Sequence, residues 1–103
     1  MEVVFHAHNA IISERMKQRA SRGLLKLSKR LDRVVDALVR FHQDGPIRRV
    51  EIRLNAAGHR DIIAEGSSRY YGPALRTALT HLESQMSREK RETKHPGPDA
   101  VRA

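Results

Sequence analysis

Residues 2 to 8 alternate: Val3, Phe5 and Ala7 fall on one side and Val4, His6 and His8 on the other, the period-two pattern of a strand. Asn9 opens a short connection, and Ser13 stands where a helix N-cap belongs, with Glu14 favourably placed in the first turn. There the period changes. At about 100° per residue, Met16, Ala20, Leu24, Leu27 and Leu31 share one stripe, which predicts a helix to about Arg30 with that stripe toward a core. Over 34–42, Val35, Ala37, Val39 and Phe41 form a row against Asp36, Arg40 and His42, a second strand. Asp44-Gly45-Pro46 reads as a turn, and Val50, Ile52, Leu54 and Ala56 then alternate with Glu51, Arg53 and Asn55 as a third strand. A turn around Gly58 leads to a fourth, 61–65, which Gly66-Ser67-Ser68 is expected to end. Gly72-Pro73 opens a second helix with proline in its first turn, and Leu75, Leu79, Leu82 and Met86, with Ala74 and Ala78, make its buried face.

The order β-α-β-β-β-α predicts an α+β fold: a four-stranded sheet with one polar and one apolar face, both helices packed on the apolar one. Short turns make the last three strands antiparallel in succession, whereas the first connects through a helix and is free to lie parallel to a partner. The folded domain is expected over 1–92. The run Lys94-His95-Pro96-Gly97-Pro98 changes the composition, so 93–103 reads as a disordered tail.

Length and composition narrow the function. A chain of 103 residues supports one domain with a modest core. Its formal net charge of +8 points to anionic partners, nucleic acid before anionic membrane or acidic protein. The absence of cysteine excludes a disulfide scaffold and a cysteine zinc finger. No apolar run approaches the roughly 20 residues that span a bilayer, and MEVVFHAH lacks the long apolar segment of a signal peptide. The expected location is the cytoplasm.

The positive charge is ordered. From Glu14 to Arg33 there are eight bases and two acids. Arg15, Arg19, Arg22, Lys26, Lys29 and Arg33 are spaced by threes and fours and form a second stripe beside the apolar one; Lys17 and Arg30 lie off it. Like charges at that spacing repel by roughly 0.2 to 0.5 kcal/mol per pair, and no acid between Glu14 and Asp32 relieves them. Solubility needs net charge but not single-file order. The stripe therefore suits a polyanion, and the basic end of the second helix, Arg88, Lys90 and Arg91, is expected to join it in one positive surface.

Catalytic chemistry finds little support. His6 and His8 share a side of the first strand and would be joined by His42 if the first two strands are neighbours, a metal-like spacing, but no acid or cysteine completes a clear site. Polar residues on an exposed sheet face explain them better. Ser67, Ser68 and Ser84 have no evident base, and no glycine-rich phosphate loop appears. No cofactor, metal or small-molecule substrate is expected. Tyr70 and Tyr71 are candidates to stack on RNA bases or, for one of them, to close the edge of the core.

The element order and several strings resemble the ribosome hibernation-promoting factor and ribosome-associated inhibitor family. LKLSKRLDRV (25–34) resembles the end of the family's first helix, AEG (64–66) the end of its last strand, and ALRTALTHLESQM (74–86) its second helix; the likeness covers roughly 1–91. It implies binding to the small ribosomal subunit and its ribosomal RNA, in the channel of messenger and transfer RNA, holding the ribosome idle under stress. By matching position, Lys26, Arg33, Arg88, Lys90 and Arg91 are the implied RNA contacts. Arg15, Arg19, Arg22, Lys29 and Arg30 come instead from the basic run of the first helix. The chain departs from the family pattern at Tyr70-Tyr71-Gly72-Pro73, at His81 and Ser84, and at Arg76, where an acid is common. It resembles a short member, which leaves open whether ribosomes are paired with a helper protein or kept as single idle particles. A double-stranded-RNA-binding domain shares the α-β-β-β-α order, but places its bases at the start of the last helix, not its end.

Overall fold

The computed structural model describes residues 1–31 and 34–94, with side chains through Glu89. Six elements follow one another: β1 (Glu2–His8), α1 (Glu14–Ser28), β2 (Val34–Asp44), β3 (Ile47–Ala56), β4 (Ile62–Ser68) and α2 (Tyr71–Lys94). The strands lie in sequence order in one sheet, β1 parallel to β2 and the rest antiparallel. This is the expected α+β arrangement.

Register carries the apolar row across the sheet. Phe5 pairs with Val39, Val39 with Ile52, and Ile52 with Ala64. Val39, Phe41, Val50, Ile52 and Leu54 are buried under Ala20, Leu24 and Leu27 of α1 and Ala74, Leu75, Ala78, Leu82 and Met86 of α2. Each fully buried Leu, Ile, Val or Phe contributes roughly 1.5 to 3 kcal/mol, so this single layer between sheet and helices holds the fold. Ser13 caps α1, its hydroxyl accepting from the Met16 amide at 3.1 Å.

Three boundaries differ from expectation. The β2–β3 hairpin extends to an Asp44–Ile47 pair because Gly45 adopts φ 61, the positive value that a two-residue loop needs at its first position. The fourth strand runs on through Gly66, Ser67 and Ser68 to the end of β4. Gly66 does not break the strand; it lets α2 lie against it, for a Cβ there would stand 2.3 Å from the Ala74 carbonyl oxygen and 2.7 Å from the Ala78 amide nitrogen. Finally, α2 includes Thr93 and Lys94, the first residues of the expected tail; 95–103 lie outside the described residues.

Candidate nucleic-acid interface

The amphipathic wheel of α1 leaves its bases outside. Arg15, Arg19, Arg22, Lys26 and Lys29 are exposed, and none forms an ion pair among the described residues. The two bases off the stripe behave differently. Lys17 is 3.6 Å from Glu14, and Arg30 pairs with Glu83 of α2. Arg30 therefore belongs to the seam between the helices, with its charge already matched.

Three contacts define that seam. A Cβ on Gly23 would meet Leu79 Cδ1 at 2.7 Å, a Cβ on Gly72 would meet the Arg19 guanidinium at 3.3 Å, and Arg30 reaches Glu83. The contacts advance together along both helices, so α1 and α2 run side by side in the same direction. On α2 the α1-facing line is Gly72, Leu79 and Glu83, and Arg76 continues it at the spacing of a helix face. Arg76 is exposed, has no acid partner among the described residues, and stands beside the stripe. It is a candidate contact that sequence reading missed. Its helical spacing was legible, but which shoulder of α2 faces α1 was not.

Arg88 goes elsewhere. It lies five residues past Glu83, about 140° round α2 and about 7.5 Å further along. It lines one depression with Arg60, Asp61 and Glu89 and a second with Thr80, Glu83, Ser84 and Ser87. Thr80, Ser84 and Ser87 occupy the exposed surface between. One continuous positive surface is therefore not what the described residues form: the stripe with Arg76 is one patch and Arg88 another. Arg33 lies outside the described residues, as do the side chains of Lys90 and Arg91.

The two tyrosines part company at the start of α2. Tyr70 is 68% exposed. Tyr71 packs edge-on against Phe41 with centroids 5.5 Å apart, under the Arg48 guanidinium at 5.8 Å. Its hydroxyl is buried with no hydrogen-bond partner, and burial raises its pKa above 10.0 against the opposing pull of Arg48. Arg48 itself donates to the Arg69 carbonyl at 2.6 Å, holding the β4–α2 connection. Tyr71 is thus the core-edge residue, and Tyr70 stays available for stacking.

The open face of the sheet is electrically different. Arg40 is 3.8 Å from Glu51 and Arg53 is 3.6 Å from Asp61, and Glu2, Asp36 and Glu65 add further acids. Imidazoles of His8 and His42 stack with centroids 4.9 Å apart, beside His6. Among the described residues no three His, Cys, Asp or Glu side chains are placed to hold a metal ion. Nor is any described helix long and apolar enough to cross a membrane.

The family profile described as sigma 54 modulation protein / S30EA ribosomal protein matches residues 3–94. Among solved structures the chain is similar to a ribosomal subunit interface protein from Coxiella burnetii, at 19% identity and TM-score 0.82, over 88% of this chain and 99% of that one. It is also similar to the N-terminal domain of Protein Y from Thermus thermophilus, at 22% identity and TM-score 0.71, over 84% and 93% of the two chains. At these identities the likeness is one of fold. No curated protein matches the chain. The profile spans both helices and all four strands, and so this chain belongs to the sigma 54 modulation protein / S30EA ribosomal protein family, the hibernation-factor group that its helix strings resemble.

Proposed function

We propose that this protein binds the small ribosomal subunit through ribosomal RNA and idles the ribosome by occupying the channel of messenger and transfer RNA. The observation that carries the reading is the file of exposed, unpaired bases on α1, Arg15, Arg19, Arg22, Lys26 and Lys29, in a chain of this family. A row of cations at helical spacing matches successive phosphates and displaces their counterions. Arg76 extends the row across the seam; Arg88, with Lys90 and Arg91, is a separate contact further along α2. The "subunit interface" in the name of the Coxiella relative agrees with this placement. Inhibition is by bulk, with no turnover and no cofactor, in the cytoplasm. The folded unit extends through α2 to Lys94.

The test is co-sedimentation with ribosomes and separated subunits over a salt series. Binding to the small subunit and whole ribosomes should fall as salt rises, with a slope of about 0.7 to 0.9 per phosphate contact. Equal affinity for generic RNA duplexes would instead assign a double-stranded-RNA-binding module. No association at low salt by the folded protein would reject the reading.

A further inference from the structure

The sheet has two edges, and the structure treats them differently. Along β4, α2 packs over the strand and His81 Nδ1 lies 2.9 Å from the Glu65 carbonyl oxygen. β1 pairs with β2 on one side only, and its outer side meets no hydrogen-bond partner among the described residues. Exposed edges are ordinarily blunted by lysine, proline or a bulge. β1, EVVFHAH, has none of these over seven residues. Val4 is 41% exposed at this edge, and Phe5, stacked on Phe41 at 6.3 Å, is only half buried.

We infer that two copies of this chain associate through β1, antiparallel about a two-fold axis at Phe5, to make one eight-stranded sheet. The strand is complementary to itself in that register. Val3 meets Ala7 of the second copy, Val4 meets His6, Phe5 meets Phe5, and Glu2 meets His8, an acid against a base. The period of two keeps Val3, Phe5 and Ala7 on the core side of both sheets, so the Phe5–Phe41 row continues across the axis. An unrelated extended peptide would satisfy the backbone equally; the matched side chains select a second copy.

The neighbouring flank of α1 admits the pairing. Gly23 packs on α2, and Leu25, 55% exposed, lies roughly 200° round the helix from it. Ser21 and Ser28 share that flank, and Lys17 is neutralised there by Glu14. The stripe of unpaired bases is on the opposite shoulder, so the two copies do not bring like charge together. Both stripes stay open on the same side of the joint sheet. A seven-residue edge buries less than the roughly 1,200 Å² of a tight complex, which makes the dimer concentration-dependent.

The chain has no cysteine, so an introduced pair reports the register alone. Opposed antiparallel residues have Cα atoms about 4.5 to 5.5 Å apart, within disulfide range. Under mild oxidation, Val4→Cys combined with His6→Cys should give a covalent dimer, and Val4→Cys combined with His8→Cys should not. By sedimentation equilibrium from about 10 µM to about 1 mM, Glu2→Lys should weaken association several-fold, and adding His8→Glu should restore it. A folded protein that stays monomeric throughout, or equal cross-linking of the two cysteine pairs, would overturn the inference. Neither readout involves the ribosome, so the outcome is independent of the proposed RNA binding.

Discussion

Two glycines show how much one missing Cβ can decide. At Gly66 the two nearest atoms a Cβ would strike are α2 backbone, which cannot move without the helix. Gly66→Ala should lower stability by about 3 kcal/mol, read as a fall in the denaturant midpoint. At Gly23 the obstacle is the flexible tip of Leu79. There alanine's gain in helix propensity, about 1 kcal/mol, offsets the shift, so Gly23→Ala should leave the midpoint nearly unchanged. Tyr71 makes the opposite point about a group present without a partner. Tyr71→Phe keeps the Phe41 contact and removes a buried, unbonded hydroxyl, so it should be neutral or stabilise by about 1 kcal/mol. The sign of its pH effect follows from the raised folded pKa. Below 10.0 the phenol is neutral in both states; above it the unfolded chain ionises first, so stability falls with rising pH. Thermal melts from pH 9 to 11 should show that loss in the parent and less of it in Tyr71→Phe.

At the scale of the element, α1 performs two tasks on two shoulders. Its seam shoulder docks on α2 through Gly23 and Arg30, and its outer bases face solvent. Arg30 and Glu83 are 54% and 43% exposed, so solvent screening holds their pair to about 1 kcal/mol or less. Arg30→Ala should therefore cost little stability and weaken ribosome binding less than Lys26→Ala does. Arg22→Glu with Lys26→Glu, both off the seam, should keep the melting temperature and reduce ribosome affinity at least tenfold, with a salt slope lower by about 1.5 to 2. Unchanged co-sedimentation of that variant would remove α1 from the interface. The helices and strands themselves were legible from their periods, except at the start of β2, where the register shifts between Val34 and Asp36 and Val35, expected in the buried row, is 50% exposed while Val34 packs on the core. The end of β4 was misread because a glycine in sequence looks the same whether it breaks a strand or admits a helix.

The whole molecule is polarised across the sheet. On the helix side the stripe bases Arg15, Arg19, Arg22 and Lys26 stand without an ion-pair partner; on the open side arginines sit among acids and two are matched by them. The bases without an ion-pair partner on α1 favour approach of a polyanion from the helix side. Arg49→Glu, on the open face, should thus leave ribosome binding within about threefold, measured in the same salt series. This polarity could be anticipated for α1, since eight bases fall within the short run from Arg15 to Arg33 that includes it. It could not be anticipated for the sheet, where Arg40 and Glu51 become partners only through strand register.

The sequence by itself determined the element order, the buried rows apart from Val35 and the basic stripe of α1, because all three are periodicities local to a segment and are fixed by where side chains leave a helix or a strand. Tertiary structure alone decided that Arg30 is matched by Glu83, that Arg76 stands beside the stripe and Arg88 apart from it, that Tyr71 is interior and Tyr70 outside, and that β1 is an open edge. Each of these depends on the rotation of one element against another. Rotation is set by long-range packing, here the approach of α2 to Gly66 and of Leu79 to Gly23, and leaves no mark in the spacing of either segment.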